Sequence, residues 1–359
     1  MTITLSRYET WELDVMVEQL ERPNPWLLRT FFGRQKFFDT KQIEFDIVDR
    51  GRRLAPFVAP TVAGKPMVRE GYRTRTLTPA YIKPTALVQP GEGFTRRPGE
   101  GFTRRPGEGA YGGVLTPKQR FDAVVAEHLG NFEDMIDNRL EWMAAQTLVN
   151  GSITITGESY PTVTVDFGRD PSLTIALTGT ATWDQATADP VEDIEHASLL
   201  VRQISKGAVV TDLVMDGSTW NLLKHNSEIT DLIDIRFRRG LNGETSIDGG
   251  PRTKLNEPVY VGTLSGKIDL WVYDSYYEDD TGTQQPYIPP YTVIGISPGA
   301  LEGTQYYGAI LDLEAEIQAR RSFTKSKVLF NPSGLELVMQ SAPLLAPRRP
   351  NAMFVLKVK

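Results

Sequence analysis

The chain of 359 residues contains no cysteine. That absence removes disulfides, thiol nucleophiles and cysteine-ligated metals together. Histidine is scarce too: only His128, His196 and His225 occur, few for proton-transfer or metal chemistry. No run approaches the roughly 18 apolar residues that a membrane-spanning helix needs. The N-terminal MTITLSRYETWELD lacks the apolar centre of a secretory leader. We therefore expect a cytosol-like compartment and no membrane partner. With 45 acidic and 39 basic residues the net charge is −6, which argues against a surface that coats nucleic acid all round. A 40% hydrophobic, 23% charged composition is that of a folded globular protein, and the length leaves room for two domains.

Against that acidic background one stretch stands out. Residues 50–115 carry twelve Lys/Arg, four Glu and no Asp, a net of +8, so the remainder of the chain holds −14. Within it PGEGFTRR at 90–97 is repeated at 98–105 and followed by PGEG at 106–109. A chain divided in this way can attract copies of itself, basic arm to acidic body. The period-two run Arg69–Leu77 is strand chemistry, and Pro56, Pro60, Pro66, Pro79 and Pro84 confine it to edges. Too few large apolar residues are present to bury a core, so the segment is a linker, a functional loop, or an arm ordered by a partner.

Five segments follow from the patterning. Residues 1–49 form an N-terminal arm whose Trp26–Phe32 anchors dock either on the chain's own core or on a partner. Residues 50–115 are the extended basic loop. In 116–188, Thr116-Pro117 opens a long helix, with Phe121, Val124, Val125, Leu129, Phe132, Met135, Ile136, Leu140, Met143 and Leu148 on its apolar stripe and Gly151 as its stop. Glu133, Asp134, Asp137 and Glu141 are assigned to its polar face. A hairpin follows, with Ile153–Ile155 and Val163–Phe167 as its strands. In 189–299, a helix over 190–206, a strand over 209–215, a helix over 219–232 and a strand over 268–273 read as an α/β subdomain. The last part, 300–359, is strand and turn. There Leu311, Leu313, Ala315 and Ile317 alternate with Asp312, Glu314, Glu316 and Gln318, placing three carboxylates on one strand face. They serve solvation, acid–base or metal chemistry, or reception of arginines.

Catalytic patterns fail on physical grounds. Gly295-Ile296-Ser297-Pro298-Gly299 matches the elbow of a serine hydrolase, but Pro298 has no N–H for an oxyanion and every histidine lies upstream. We read it as a strand-ending turn. Gly107–Gly112 spells G-x-G-x-x-G only as the tail of the repeat, with no buried strand before it. Gly262–Lys267 lacks a spacer and the Ser/Thr of a phosphate loop and reads as a hairpin turn. Glu278–Gly282 lacks the alternating ligands of a calcium loop and reads as a turn between strands. Paired arginines at 52–53, 96–97, 104–105, 238–239, 320–321 and 348–349 leave a soluble nucleic-acid-binding protein as an alternative, although interleaved aromatics are sparse. No cofactor or metal is expected.

Six strings, in order, carry a resemblance: Pro56-Phe57-Val58-Ala59-Pro60 with Val62-Ala63-Gly64, Thr78-Pro79-Ala80-Tyr81-Ile82-Lys83-Pro84, Thr154–Glu158, Val165–Arg169, Asp189–Glu195 and Gln340–Leu344. In these the chain resembles the lambda-type major capsid proteins of tailed double-stranded DNA phages, with the Hong Kong 97-like fold. The resemblance implies an α+β fold with an N-terminal arm, an extended β-hairpin loop, a long spine helix in a peripheral domain and an α/β axial domain. It also implies a virion shell of hexamers and pentamers around double-stranded DNA, assembled in the host cytoplasm. Scaffold, portal, maturation protease and decoration protein would be its partners. The loop would lie over the neighbouring subunit, which makes Arg69, Arg73, Arg75, Arg96, Arg97, Arg104 and Arg105 donor candidates for inter-subunit contact. Glu133, Asp134, Asp137, Glu141, Asp312, Glu314 and Glu316 are the receiving candidates. One PGEGFTRR satisfies the family pattern, so the second reads as an eight-residue duplication. The absence of Lys from 85–115 gives no sign of a covalent crosslink.

Overall fold

A computed structural model describes residues 25–48, 72–96, 115–157, 160–185, 187–226, 257–279, 281–316 and 318–359, with scattered positions among 8–63 and Ile229. In chain order its elements begin with helix α1 (Trp26–Phe31) and strands β1 (Arg34–Phe38), β2 (Ile43–Val48), β3 (Tyr72–Leu77) and β4 (Thr85–Val88). The long helix α2 (Pro117–Asn150) precedes β5 (Ser152–Gly157), β6 (Tyr160–Asp166) and β7 (Thr174–Ala176). Next come α3 (Pro190–Ile204), β8 (Asp212–Met215), α4 (Gly217–Leu223), β9 (Val259–Leu264) and β10 (Ile268–Val272). Then follow β11 (Tyr276–Glu278), β12 (Gln284–Pro286), β13 (Thr292–Ile296), α5 (Pro298–Leu301) and β14 (Thr304–Gly308). The last strands are β15 (Phe323–Leu329), β16 (Gly334–Gln340), β17 (Pro343–Ala346) and β18 (Met353–Lys357).

Local chemistry sets the ends of α2. The Thr116 Oγ1 accepts from the Gln119 N–H at 3.3 Å and the Gln119 side chain accepts from the Thr116 N–H at 2.9 Å, a reciprocal cap with Pro117 at the first helical position. At the far end Gly151 sits at φ 67° and donates to the Thr147 carbonyl at 3.0 Å, a left-handed position that costs a side chain least when there is none. The 34 residues between span ~51 Å. Phe121, Val125, Leu129, Phe132, Ile136, Leu140 and Leu148 are buried along it, each contributing roughly 1.5–3 kcal/mol relative to exposure.

The largest sheet has the order β7-β18-β13-β8-β10-β9. All five residues of β13 are buried, as are Met353 to Leu356 in β18, the continuous apolar run of strands covered on both faces. This sheet crosses the boundaries drawn from sequence: β7 comes from 116–188 and β18 from 300–359, so the α/β unit is closed by strands from both flanks. Two smaller sheets, β1-β14-β17 and β15-β16-β4, complete the body, with hairpins β2–β3, β5–β6 and β11–β12.

Two further expectations are revised, and one left open is decided. The described stretch 72–96 of the basic segment is built into the body: β3 pairs with β2, as the period-two run over 69–77 leads us to expect of a strand, β4 pairs with β16, and a 3₁₀ turn at Pro90–Phe94 packs on the start of α2. That turn fits so closely that a Cβ on Gly93 would stand 2.9 Å from the Pro117 carbonyl oxygen. The N-terminal arm docks on the chain's own core from Trp26 onward, with Leu27, Leu28, Phe31 and Phe32 buried and Trp26 against Trp271 and Tyr273 at 5.4 and 5.6 Å. Residues 313–316 form a turn, not a strand, and Leu311 and Leu313 are exposed while Ala315 is buried. The alternation there follows the turn's own hydrogen bonds, Glu316 N–H to Leu313 and Gln318 N–H to Ala315.

Candidate functional site

The acidic residues expected on an outer face of α2 divide sharply. Glu133, Asp137 and Glu141 are 1–2% exposed, so their assignment to the polar face is corrected. Four-residue spacing beside Phe132, Ile136 and Leu140 turns all three inward. Arg321, at the entrance to β15, supplies the compensating charge. Its Nη1 donates to Glu133 at 3.3 Å and its Nη2 to Asp137, while the Ser322 hydroxyl donates to Glu133 at 2.9 Å. Burial pulls the Arg321 guanidinium down, but Asp137 and Glu133 outweigh it and hold it above its usual range.

Glu141 joins three parts of the chain. Its Oε1 accepts from the Leu27 N–H at 2.8 Å and the Tyr273 hydroxyl at 2.7 Å; its Oε2 accepts from the Leu28 N–H at 2.9 Å. The first N–H groups of a helix lack partners within it, and here a carboxylate of α2 satisfies two of them in α1. Burial pushes the Glu141 carboxyl up to about 7 against these hydrogen bonds.

The other receiving candidates are distributed differently. Asp312 accepts from Lys325 and, at 2.9 Å, from the Gln340 amide. Burial raises its carboxyl, but those two partners prevail and hold it below its ordinary value. Glu316 accepts from Gln318 at 3.1 Å within its turn, and Glu314 is exposed beside it. Asp134 is half-buried, its carboxyl raised by burial and by Glu133. Among the donors, Arg75 gives a hydrogen bond to the Asp166 carbonyl and Arg96 is exposed. Arg69, Arg97, Arg104 and Arg105, and the side chain of Arg73, lie outside the described residues, as does the G-x-G-x-x-G string; the helix expected over 219–232 instead ends at Leu223, where the chain turns at Lys224 and His225.

Ser297 is buried at the entry to the four-residue helix α5, its N–H donating to the Ala352 carbonyl at 3.0 Å. The glycine of its motif has a packing reason: a Cβ on Gly295 would lie 2.1 Å from the Phe354 ring. Gly262–Lys267 is the β9–β10 hairpin turn, with Ser265 at φ 50° and Gly266 at φ 67°. Glu278–Gly282 belongs to the β11–β12 connection, where Asp279 accepts from the Thr281 and Thr283 N–H groups at 2.9 and 3.0 Å. Sequence reasoning took Arg321 and Arg348 only as members of arginine pairs open to nucleic acid, whereas both are paired within the chain, and it overlooked Tyr273 and Glu302, whose partners are Arg34 and Arg348 at 3.3 and 2.8 Å. Only the Glu133 and Asp137 partners had a legible signal, carboxylates placed next to apolar stripe residues.

The long helix laid against two small sheets, the α/β sheet closed by flanking strands, and the paired strands β2 and β3 define a shell-building subunit of the Hong Kong 97-like capsid fold. A capsid protein of a prophage in Escherichia coli CFT073 has this fold with a TM-score of 0.72 at 19% identity over the whole of both chains. A phage-related protein of Bordetella bronchiseptica RB50 aligns with a TM-score of 0.53 at 11% identity, covering 99% of this chain and 98% of that one. The chain belongs to the Phage major capsid protein E family, whose sequence profile matches residues 9–358. The major capsid protein of Escherichia phage N15 is 28% identical over 362 residues, 99% of this chain and all of the relative. That of Escherichia phage lambda is 27% identical over 350 residues, 95% and 96% of the two chains. It is a head-shell protein by family.

Proposed function

We propose that this chain assembles with itself, as hexamers and pentamers, into the icosahedral head shell that encloses phage double-stranded DNA. It acts as a structural protein without a catalytic role, built into the virion and assembled in the host cytoplasm. The supporting observation is the end-to-end correspondence: the family profile runs from residue 9 to 358, so arm, spine helix, α/β unit and closing strands are all accounted for together. In this reading the α/β sheet faces the capsomer axis, and α2 with the smaller sheets forms the periphery. A scaffold, a portal and a decoration protein are its further partners, and DNA lies against the inner face.

The test is direct. The expressed 40.1 kDa chain, alone and with a scaffold supplied, is examined by sedimentation velocity and negative-stain microscopy. Closed shells in the megadalton range are expected. A chain that remains monomeric under both conditions overturns the reading.

A further inference from the structure

A groove of about 780 Å³ runs between α2 and the β11–β12 hairpin, lined among others by Met135, Arg139 and Trp142 on the helix and Tyr276, Glu278 and Asp279 on the hairpin. Met135 and Tyr276 are both 57% exposed, so apolar and aromatic surface lies open beside two carboxylates. Hydrogen bonds from Thr281 and Thr283 hold the Asp279 carboxyl below its ordinary value. A planar guanidinium stacks on aromatic faces while pairing with carboxylates. The stacking half is already present here, with the Arg139 guanidinium 5.4 Å from the Trp142 ring.

We propose that this groove receives the second Phe-Thr-Arg-Arg of the duplicated basic repeat, Phe102 to Arg105, from a neighbouring copy of the chain. The inference rests on the shell reading above and names the surface one subunit offers to the next. Charge complementarity is the first argument: the repeat is the basic, phenylalanine-bearing segment of an otherwise acidic chain. Occupancy is the second. Glu133, Asp137, Glu141 and Asp312 are engaged within their own subunit, so an incoming arginine needs another receiver.

Reach is the third. The repeat is tethered at the start of α2, by the Pro90–Phe94 turn on one side and Leu115 on the other. Arg105 stands ten residues before Leu115, ~35 Å when pulled straight. Trp142 stands 25 residues beyond Pro117 on α2, ~37 Å along the axis. A chain's own second repeat therefore meets the Trp142 end of the groove only at full stretch, which disfavours it as the occupant there.

The cysteine-free sequence makes the experiment clean. Chains carrying Glu278→Cys and chains carrying Arg104→Cys are co-assembled, the particles are oxidised, and dimers are read on a non-reducing gel. Crosslinked dimers are expected in mixed particles, at least tenfold above either variant alone and absent from unassembled mixtures. Particles that form without mixed dimers overturn the inference while leaving the shell reading intact. So does a crosslink found only inside the doubly substituted chain. Should the cysteine variants fail to assemble, hydrogen exchange on the unsubstituted chain decides. Assembly should slow exchange at 276–279, and the variant with Phe102, Arg104 and Arg105 changed to Ala should lose that protection; equal exchange in both overturns the proposal. Absence of any particle from the unsubstituted chain overturns the shell reading and this inference with it.

Discussion

Glu141 carries three hydrogen bonds on two oxygens in a place where its charge is hard to keep. Burial raises its carboxyl from an ordinary 4.5 to about 7, so the folded chain holds that proton more tightly than the unfolded chain does. The contribution to stability is complete below pH 4.5 and is lost as pH rises through 7, up to about 3 kcal/mol. Urea unfolding of the unassembled chain at pH 5, 6, 7 and 8 should show this decline. Glu141→Gln should flatten it at some cost in overall stability, since the amide NH₂ that replaces one carboxylate oxygen is a donor and leaves the N–H of Leu27 or Leu28 without an acceptor. The same slope in both proteins would assign the pH dependence elsewhere. Arg321 poses the complementary case. Arg321→Ala leaves Glu133 and Asp137 buried without their cation and should cost about 3–5 kcal/mol. Adding Glu133→Gln and Asp137→Asn to that variant should restore part of the loss, which thermal unfolding can measure.

At the scale of elements, what was legible was what is local. Thr116, Pro117, Gln119 and Gly151 determine the ends of α2 through contacts no more than four residues away. The β9–β10 turn needed only Ser265-Gly266, and Asp189-Pro190 opened α3 with the Asp189 carboxylate accepting two N–H groups. Distant pairing was not legible. β4 reads as part of a loop because its partner β16 is some 250 residues away, and β18 reads as peripheral because nothing near it in sequence announces β7 or β13. The inward turn of Glu133 and Asp137 depends on Arg321, almost 190 residues on. Because β4 and the Pro90–Phe94 turn anchor the segment, the second copy of the repeat should be dispensable for folding. Deleting residues 98–105 shortens the span between described anchors Arg96 and Leu115 from 18 to 10 residues, a closure difference of about 0.5 kcal/mol. The unfolding midpoint should therefore move by less than about 2 °C. Deleting 90–105 should lower it further, because it removes the turn packed on α2; equal midpoints for the two deletions would show that this packing contributes nothing.

For the whole molecule, we expect the division of charge to bear on assembly more than on folding. A ring of identical subunits joined head to tail lets every copy give one basic segment and receive another, so a modest attraction is repeated around each capsomer. Most acids of the spine helix are consumed inside the subunit, which leaves the exposed groove beside β11–β12 and surface carboxylates such as Glu314 to meet the +8 segment. Such contacts are screened: the Debye length falls from about 10 Å at 0.1 M salt to about 3 Å at 1 M. Changing Arg96, Arg97, Arg104 and Arg105 to Ala halves the segment's net charge. The variant should unfold at the same temperature as the parent yet yield fewer shells by sedimentation, with a weaker dependence of yield on salt between 0.05 and 0.5 M. Parent-like yield at physiological salt would mean that these arginines do not hold neighbouring subunits together. The apolar surfaces, Phe330 at 99% exposed and Leu313 at 86% among them, would then be the ones that carry the shell. A shell held by those surfaces should grow more stable, not less, as a salt such as sulfate is added, because excluded ions strengthen apolar association while weakening ion pairs. The sign of the salt dependence therefore separates the two kinds of contact before any subunit interface is seen.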